Sequence, residues 1–171
     1  PELVAAVNNA GGFGMDGVTE YPVEKLREEI RQIRELTDKP FGLDILLPAS
    51  RAETPPSRDE VRERIKRDYP KHWAWVQELH KEYDLPDAKD QRPGVGVSSE
   101  FVEEQVRVII EERIPVFAAA LGDPSLLVPR FHEAGIKVLG MAGSARNALR
   151  QKKAGVDIVV AQGYEAGGHT G

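Results

Sequence analysis

One amide, two glycines and one imidazole stand close together near the end of the chain. They are Gln162, Gly167, Gly168 and His169, in the run Ala161-Gln162-Gly163-Tyr164-Glu165-Ala166-Gly167-Gly168-His169-Thr170-Gly171. An imidazole titrates nearest neutrality, so His169 is suited to moving a proton. A side-chain amide both donates and accepts, so Gln162 can meet polar groups of either kind. Adjacent glycines let backbone approach a flat or phosphorylated ligand closely. Glu165 reads equally as a structural hydrogen-bonding group of the loop or as a direct participant. A further carboxylate, Asp44, interrupts an otherwise apolar run from Phe41 to Leu47.

These residues need elements to aim them. The apolar run Val156 to Ala161 reads as a buried parallel strand that ends in the reactive stretch. Strand first and polar loop second is the order in α/β folds that bind ligands at the carboxyl ends of their strands. The spacing predicts a helix over Pro1 to Asn9, closed at Gly11, and a short strand over Phe13 to Met15. Val23, Leu26, Ile30, Ile33 and Leu36 predict a helix, and Phe41 to Leu47 a strand ended by Pro48. A further helix is capped near Ser98 or Ser99, followed by a strand over Ile114 to Ala120. Asp123-Pro124 then predicts a helix start, with Leu126, Leu127, Phe131 and Ala134 along that helix. The segment Ala134-Gly135-Ile136-Lys137-Val138-Leu139-Gly140 recurs twenty residues later as Ala154-Gly155-Val156-Asp157-Ile158-Val159-Val160. Each copy reads as helix end, glycine stop and apolar strand.

Helix and strand thus alternate about five times, and the near-continuous apolar strands imply a parallel sheet buried on both faces. Residues 49–93 interrupt the rhythm with a charged, helical insertion broken at Pro70. Trp73 and Trp75 in it read as packing residues, and the run Arg58 to Arg67 as a solvated helix face.

The bulk properties narrow the class. The chain has 171 residues, 40% apolar and 30% charged, with no cysteine and a formal net charge of −5. That is one domain's length, and disulfide or thiolate chemistry is excluded. No basic cluster interleaves with aromatics, so nucleic acid is not an expected partner. No apolar run reaches the ~18–20 residues of a membrane span, and a cytoplasmic location is expected. Metal ligands at workable spacing are not apparent, and His72, His80 and His132 read as ordinary surface residues.

Three motifs carry a family resemblance. Asn9-Ala10-Gly11-Gly12-Phe13-Gly14, Phe41-Gly42-Leu43-Asp44-Ile45-Leu46-Leu47-Pro48 and the terminal run Ala161 to Gly171 resemble, in kind and order, those of the nitronate monooxygenases. The resemblance implies an α/β fold, a TIM-type (β/α)8 barrel of which residues 1–171 supply roughly the first half to two-thirds. It implies FMN as cofactor and oxidation of alkyl nitronates or nitroalkanes by dioxygen, giving a carbonyl compound and nitrite. Gln162 and Gly167 match flavin-binding positions, Gly168 matches a position of close backbone approach, and His169 matches the proposed catalytic histidine. Asp44 stands at a flavin-contacting position where many members have Asn, and Met141 where some have Lys. The first barrel strand is expected before Pro1 and most phosphate-binding glycines after Gly171. Two other readings stay open. One is a flavin-dependent enoyl-acyl-carrier-protein reductase on the same barrel. The other is a non-catalytic half-barrel whose unpaired strand edges associate, with another chain or with a second copy as a homo-oligomer.

Overall fold

The computed structural model describes residues 1–47, 57–85 and 98–167. The chain divides into two units, one made of Pro1–Arg51 with Ser99–Gly171 and the other of Ala52–Ser98. In chain order the elements are α1 (Glu2–Asn9), β1 (Met15–Gly17), α2 (Val23–Leu36) and β2 (Gly42–Leu47). The second unit holds α3 (Arg58–Asp68) and α4 (Pro70–Glu82). The first unit resumes with α5 (Ser99–Glu111), β3 (Val116–Gly122), α6 (Val128–Glu133), β4 (Lys137–Ala142), α7 (Ala145–Ala154) and β5 (Ile158–Ala161).

The five strands are all parallel, and their spatial order is their chain order. An unreversed order is that of a barrel wall; a doubly wound sheet reverses at a switch point. The side of the sheet that packs on helices holds the core. Leu43, Ile45, Phe117, Ala119 and Val138 are fully buried there. Phe131 of α6 stacks on Phe117 at 4.2 Å between ring centroids. Leu26, Ile30 and Ile33 present one buried stripe of α2, the helical periodicity that the sequence carries.

The twenty-residue repeat is the same backbone device used twice. Gly135 and Gly155 both take positive φ, 77° and 90°. The residue after each closes back on the helix, Ile136 N to Phe131 O at 2.8 Å and Val156 N to Gln151 O at 3.1 Å. This is the left-handed glycine closure of a helix, and it launches β4 and β5 in turn.

Four expectations are corrected. The first strand is Met15–Gly17, beginning where Phe13 to Met15 was to end, because Asn8 Oδ1 holds Gly14 N at 2.5 Å and keeps the preceding glycines in a turn. The strand expected from Ile114 begins at Val116, because Arg113 takes φ 51° and Ile114 N bonds back to Ile109 O to close α5. Asp123-Pro124 opens only a three-residue 3-10 turn before α6, and Leu126 is 89% exposed in it. The side chain of Asp123 accepts from Ser125 N, which satisfies a tight turn without extending it. Finally, β5 is not buried on both faces. It pairs with β4 along one edge, and Ile158 and Val160 are 51% and 37% exposed.

In the second unit Ser57 and Glu60 form a capping box at the start of α3. Pro70 opens α4 at its first turn, where its missing N–H costs nothing. Neither helix has a buried residue. Trp75 is 59% exposed, so it is not the packing residue that its type suggested.

Candidate functional site

The register across the sheet places the candidate residues. Gly17, Asp44, Ala118, Leu139 and Ile158 form one row through all five strands. Side chains alternate along a strand, so this row lies on the face opposite Leu43 and Phe117, away from the helices. Asp44 is the one charged side chain in a row otherwise made of glycine and apolar residues. Met141 and Val160 are paired one level nearer the carboxyl ends.

Asp44 is held by an irregularity in the neighbouring strand. Ile45 pairs with Ala119, yet Leu47 pairs with Gly122, so β3 carries one residue more than β2 over this stretch. Such a bulge takes an amide out of the ladder and re-aims what surrounds it. Here the amide of Ala120 donates instead to Asp44 Oδ1 at 2.9 Å. Gly122 ends the bulge at φ 93°. Burial raises the Asp44 pKa above the ordinary carboxylate value, opposed by the Ala120 hydrogen bond.

Gln162 follows β5 directly, and its N–H continues the ladder to Ala142 O at 3.0 Å. Alternation from Ile158 and Val160 puts it on the same face as Asp44, four residues further along. Between β2 and β5 lie three strand spacings, about 14 Å along the sheet. Asp44 therefore lies deep in the face and Gln162 at its rim. Beyond it a turn at Tyr164 and Glu165 closes with Ala166 N on Gly163 O at 3.2 Å, and Tyr164 is fully exposed. Among the described residues nothing lies within 4 Å of where a Cβ would stand at Gly17, Gly163 or Gly167, so their backbone is open on that side. Gly168 and His169 lie outside the described residues.

Other candidates fall elsewhere. The turn Asn9 to Gly14 precedes β1 and so belongs to the amino ends of the strands, opposite the rim. His132 Nε2 meets Asp157 Oδ2 at 2.8 Å, and Lys137 Nζ reaches Asp157 Oδ1 at 2.8 Å. Burial disfavours the Asp157 charge, but bonds from Lys137, Val138 N and His132 win and hold its pKa far below the ordinary range. Asp157 precedes β5 and Lys137 begins β4, so this is a structural tie between amino ends. Among the described residues no group of three or more His, Cys, Asp or Glu could hold a metal, and no helix is long and apolar enough to cross a membrane.

Sequence reasoning missed two contributors to the rim. Ala120 and Gly122 form the bulge, and the small-residue run Ala118-Ala119-Ala120 with Gly122 was its only trace. Gln105 sits on the buried face of α5 and bonds the turn after β1; a polar residue on an apolar helical stripe was the available sign.

A parallel sheet in sequential order, with its polar groups at one face and rim, defines a β/α barrel wall. The family is equally definite: residues 1–171 match the nitronate monooxygenase family throughout, and the chain belongs to it. A "probable nitronate monooxygenase" of Staphylococcus aureus is 32% identical, over 100% of this chain and 44% of that protein. Nitroalkane oxidase from Streptomyces ansochromogenes superposes with a TM-score of 0.74 at 28% identity, covering 100% of this chain and 44% of that one. FabK from Thermotoga maritima gives a TM-score of 0.67 at 29% identity, covering 100% and 39%. The chain spans less than half the length of these relatives, and it supplies five parallel strands of a TIM-type barrel.

Proposed function

We propose that the protein containing this chain is an FMN-dependent nitronate monooxygenase, which oxidises alkyl nitronates with dioxygen to a carbonyl compound and nitrite. The observation that carries this is the family match over every residue from 1 to 171. The described face fits a flavin in kind. It has an apolar floor at Ala118, Leu139 and Met141, a part-buried carboxyl at Asp44, and open glycine backbone at Gly17 and Gly167. In this reading Gln162 donates to and accepts from the polar edge of the flavin ring. Gly167 and Gly168 let their backbone lie against it. Asp44 accepts from a flavin N–H, or donates when protonated. His169 takes the α-proton from a neutral nitroalkane, or holds the anionic nitronate. The flavin, when bound, supplies the electron transfer and the reaction with oxygen. We place residues 49–93 as a charged, helical insertion between β2 and α5 of the barrel; that residues 52–98 form a unit of their own supports this.

The test is anaerobic mixing of the intact, FMN-loaded protein with propyl-2-nitronate and, separately, with NADH. Bleaching of the flavin band by the nitronate, and nitrite release once air is admitted, are the expected results. Bleaching by NADH alone would favour the enoyl reductase instead. The fold likeness does not choose between these readings, since the differently named nitroalkane oxidase and FabK superpose almost equally well. His169→Ala should slow turnover of neutral nitroalkane by roughly a hundredfold or more, the scale of a lost general base. Preformed nitronate needs no proton removed and should be affected less.

A further inference from the structure

Helix α5 keeps one amide on its buried face. Val102, Val106 and Ile109 there are almost fully buried, and Gln105 among them is 0% exposed. A buried amide needs partners that justify its removal from water. Gln105 Nε2 donates to Val18 O at 2.7 Å, to Tyr21 O at 3.0 Å and to Thr19 O at 3.3 Å. Only the NH2 end of the amide can face three carbonyl oxygens. Among the described residues its buried Oε1 has no partner, so it is the donors of this side chain that the fold uses.

These carbonyls belong to the turn that leaves the carboxyl end of β1. That turn is fastened to β2 at two points, the Asp44 carbonyl and the Leu46 amide just beyond it. Val18 N donates to Asp44 O at 2.9 Å, and Thr19 Oγ1 accepts from Leu46 N at 3.0 Å. A hydrogen-bonded path therefore runs from α5 through the turn to the strand segment that carries the carboxyl.

We propose that Gln105 is a positioning residue of the ligand rim. It holds the turn after β1 against β2, so that Asp44 and the backbone around it keep the geometry that receives the ligand. The ligand's identity as FMN rests on the function proposed above; the hydrogen-bond path does not. A leucine at 105 would fill similar space and offer no donor: Val18 O would keep only Tyr21 N, and the part-buried Thr19 O and Tyr21 O would lose the amide.

The experiment uses the intact polypeptide, as wild type, Gln105→Leu and Thr19→Val. Amide hydrogen exchange is followed by mass spectrometry, and FMN affinity by quenching of flavin fluorescence. In Gln105→Leu, exchange should accelerate about tenfold in peptides covering 18–21 and 42–47 while β4 and α7 stay as in wild type, and the FMN Kd should rise about tenfold. Tenfold is the scale of one lost buried hydrogen bond. Thr19→Val, which breaks the next link, should accelerate 42–47 alone. Exchange that is unchanged at 18–21 and 42–47, or faster uniformly across the sheet, overturns the proposal. So does a wild-type FMN Kd retained in Gln105→Leu. If Gln105→Leu does not fold, Thr19→Val decides: local acceleration supports the path and its absence refutes it. A wild type that binds no FMN defeats the flavin reading, while the exchange measurement still decides the role of Gln105.

Discussion

Burial in the fold changes the chemistry of Asp44. Its ordinary value lies near 4, and burial in the face of the sheet raises it. A carboxyl with a raised folded pKa contributes stability that is fully present below its unfolded value. That contribution is lost as pH rises through the folded value. Asp44→Asn keeps an oxygen to accept from Ala120 N and has no charge to bury. In urea denaturation of the apoprotein across a pH series, the variant should therefore gain on wild type as pH climbs from about 4. The gain should level off once Asp44 is ionised in both states. A variant that instead loses ground over that range would show that the folded protein favours the carboxylate, contrary to the burial argument.

At the scale of the element, the bulge in β3 does the positioning. It exists because the chain fits an extra residue opposite Leu46 and then returns through Gly122. Gly122 has φ 93°, and a Cβ there would overlap the carbonyl oxygen of Leu47, which belongs to backbone and cannot swing aside. Strain of this kind costs about 1–3 kcal/mol, and the clash adds to it. Gly122→Ala should thus lower unfolding free energy by about 3 kcal/mol and disorder the β2–β3 rim before the rest of the sheet. Chemical denaturation gives the first quantity, and exchange in the 42–47 peptide reads the second. Gly140 provides the contrast. A Cβ there meets the end of the Gln151 side chain, and a side chain can move where backbone cannot. Substitution at Gly140 should accordingly be the milder of the two.

At the scale of the whole molecule, the described residues leave the sheet with edges. Among them β5 pairs with β4 alone, and Ile158 and Val160 beside it are 51% and 37% exposed. On α1, which packs on α2, Leu3 is 77% exposed and Val7 38%. Open parallel edges with apolar flanks recruit further strands or further copies. Residues 1–171 produced alone should elute above the 18.9 kDa of a monomer and hold FMN far more weakly than the intact protein. A yellow monomer of that mass would show that these residues suffice for the cofactor site. Size-exclusion chromatography with light scattering, read together with flavin absorbance, distinguishes the two outcomes.

Much of this was present in the order of residues. Period-3.6 stripes such as Leu26, Ile30 and Ile33 located helices, because burial of one face requires that spacing wherever the helix lies. The glycines at 135 and 155 located the two helix ends, because left-handed backbone is a local demand that glycine meets by itself. The terminal amide, glycines and imidazole pointed to chemistry for the same reason: what a side chain can donate, accept or titrate belongs to its type. Tertiary structure decided the rest. Whether Asp44 faces helices or the open side depends on register across five strands, and its hydrogen bond to Ala120 on a bulge formed between two of them. Gln105 and the turn it holds are more than eighty residues apart in the chain. No local pattern could bring them together, because only the packing of α5 on the sheet closes that distance.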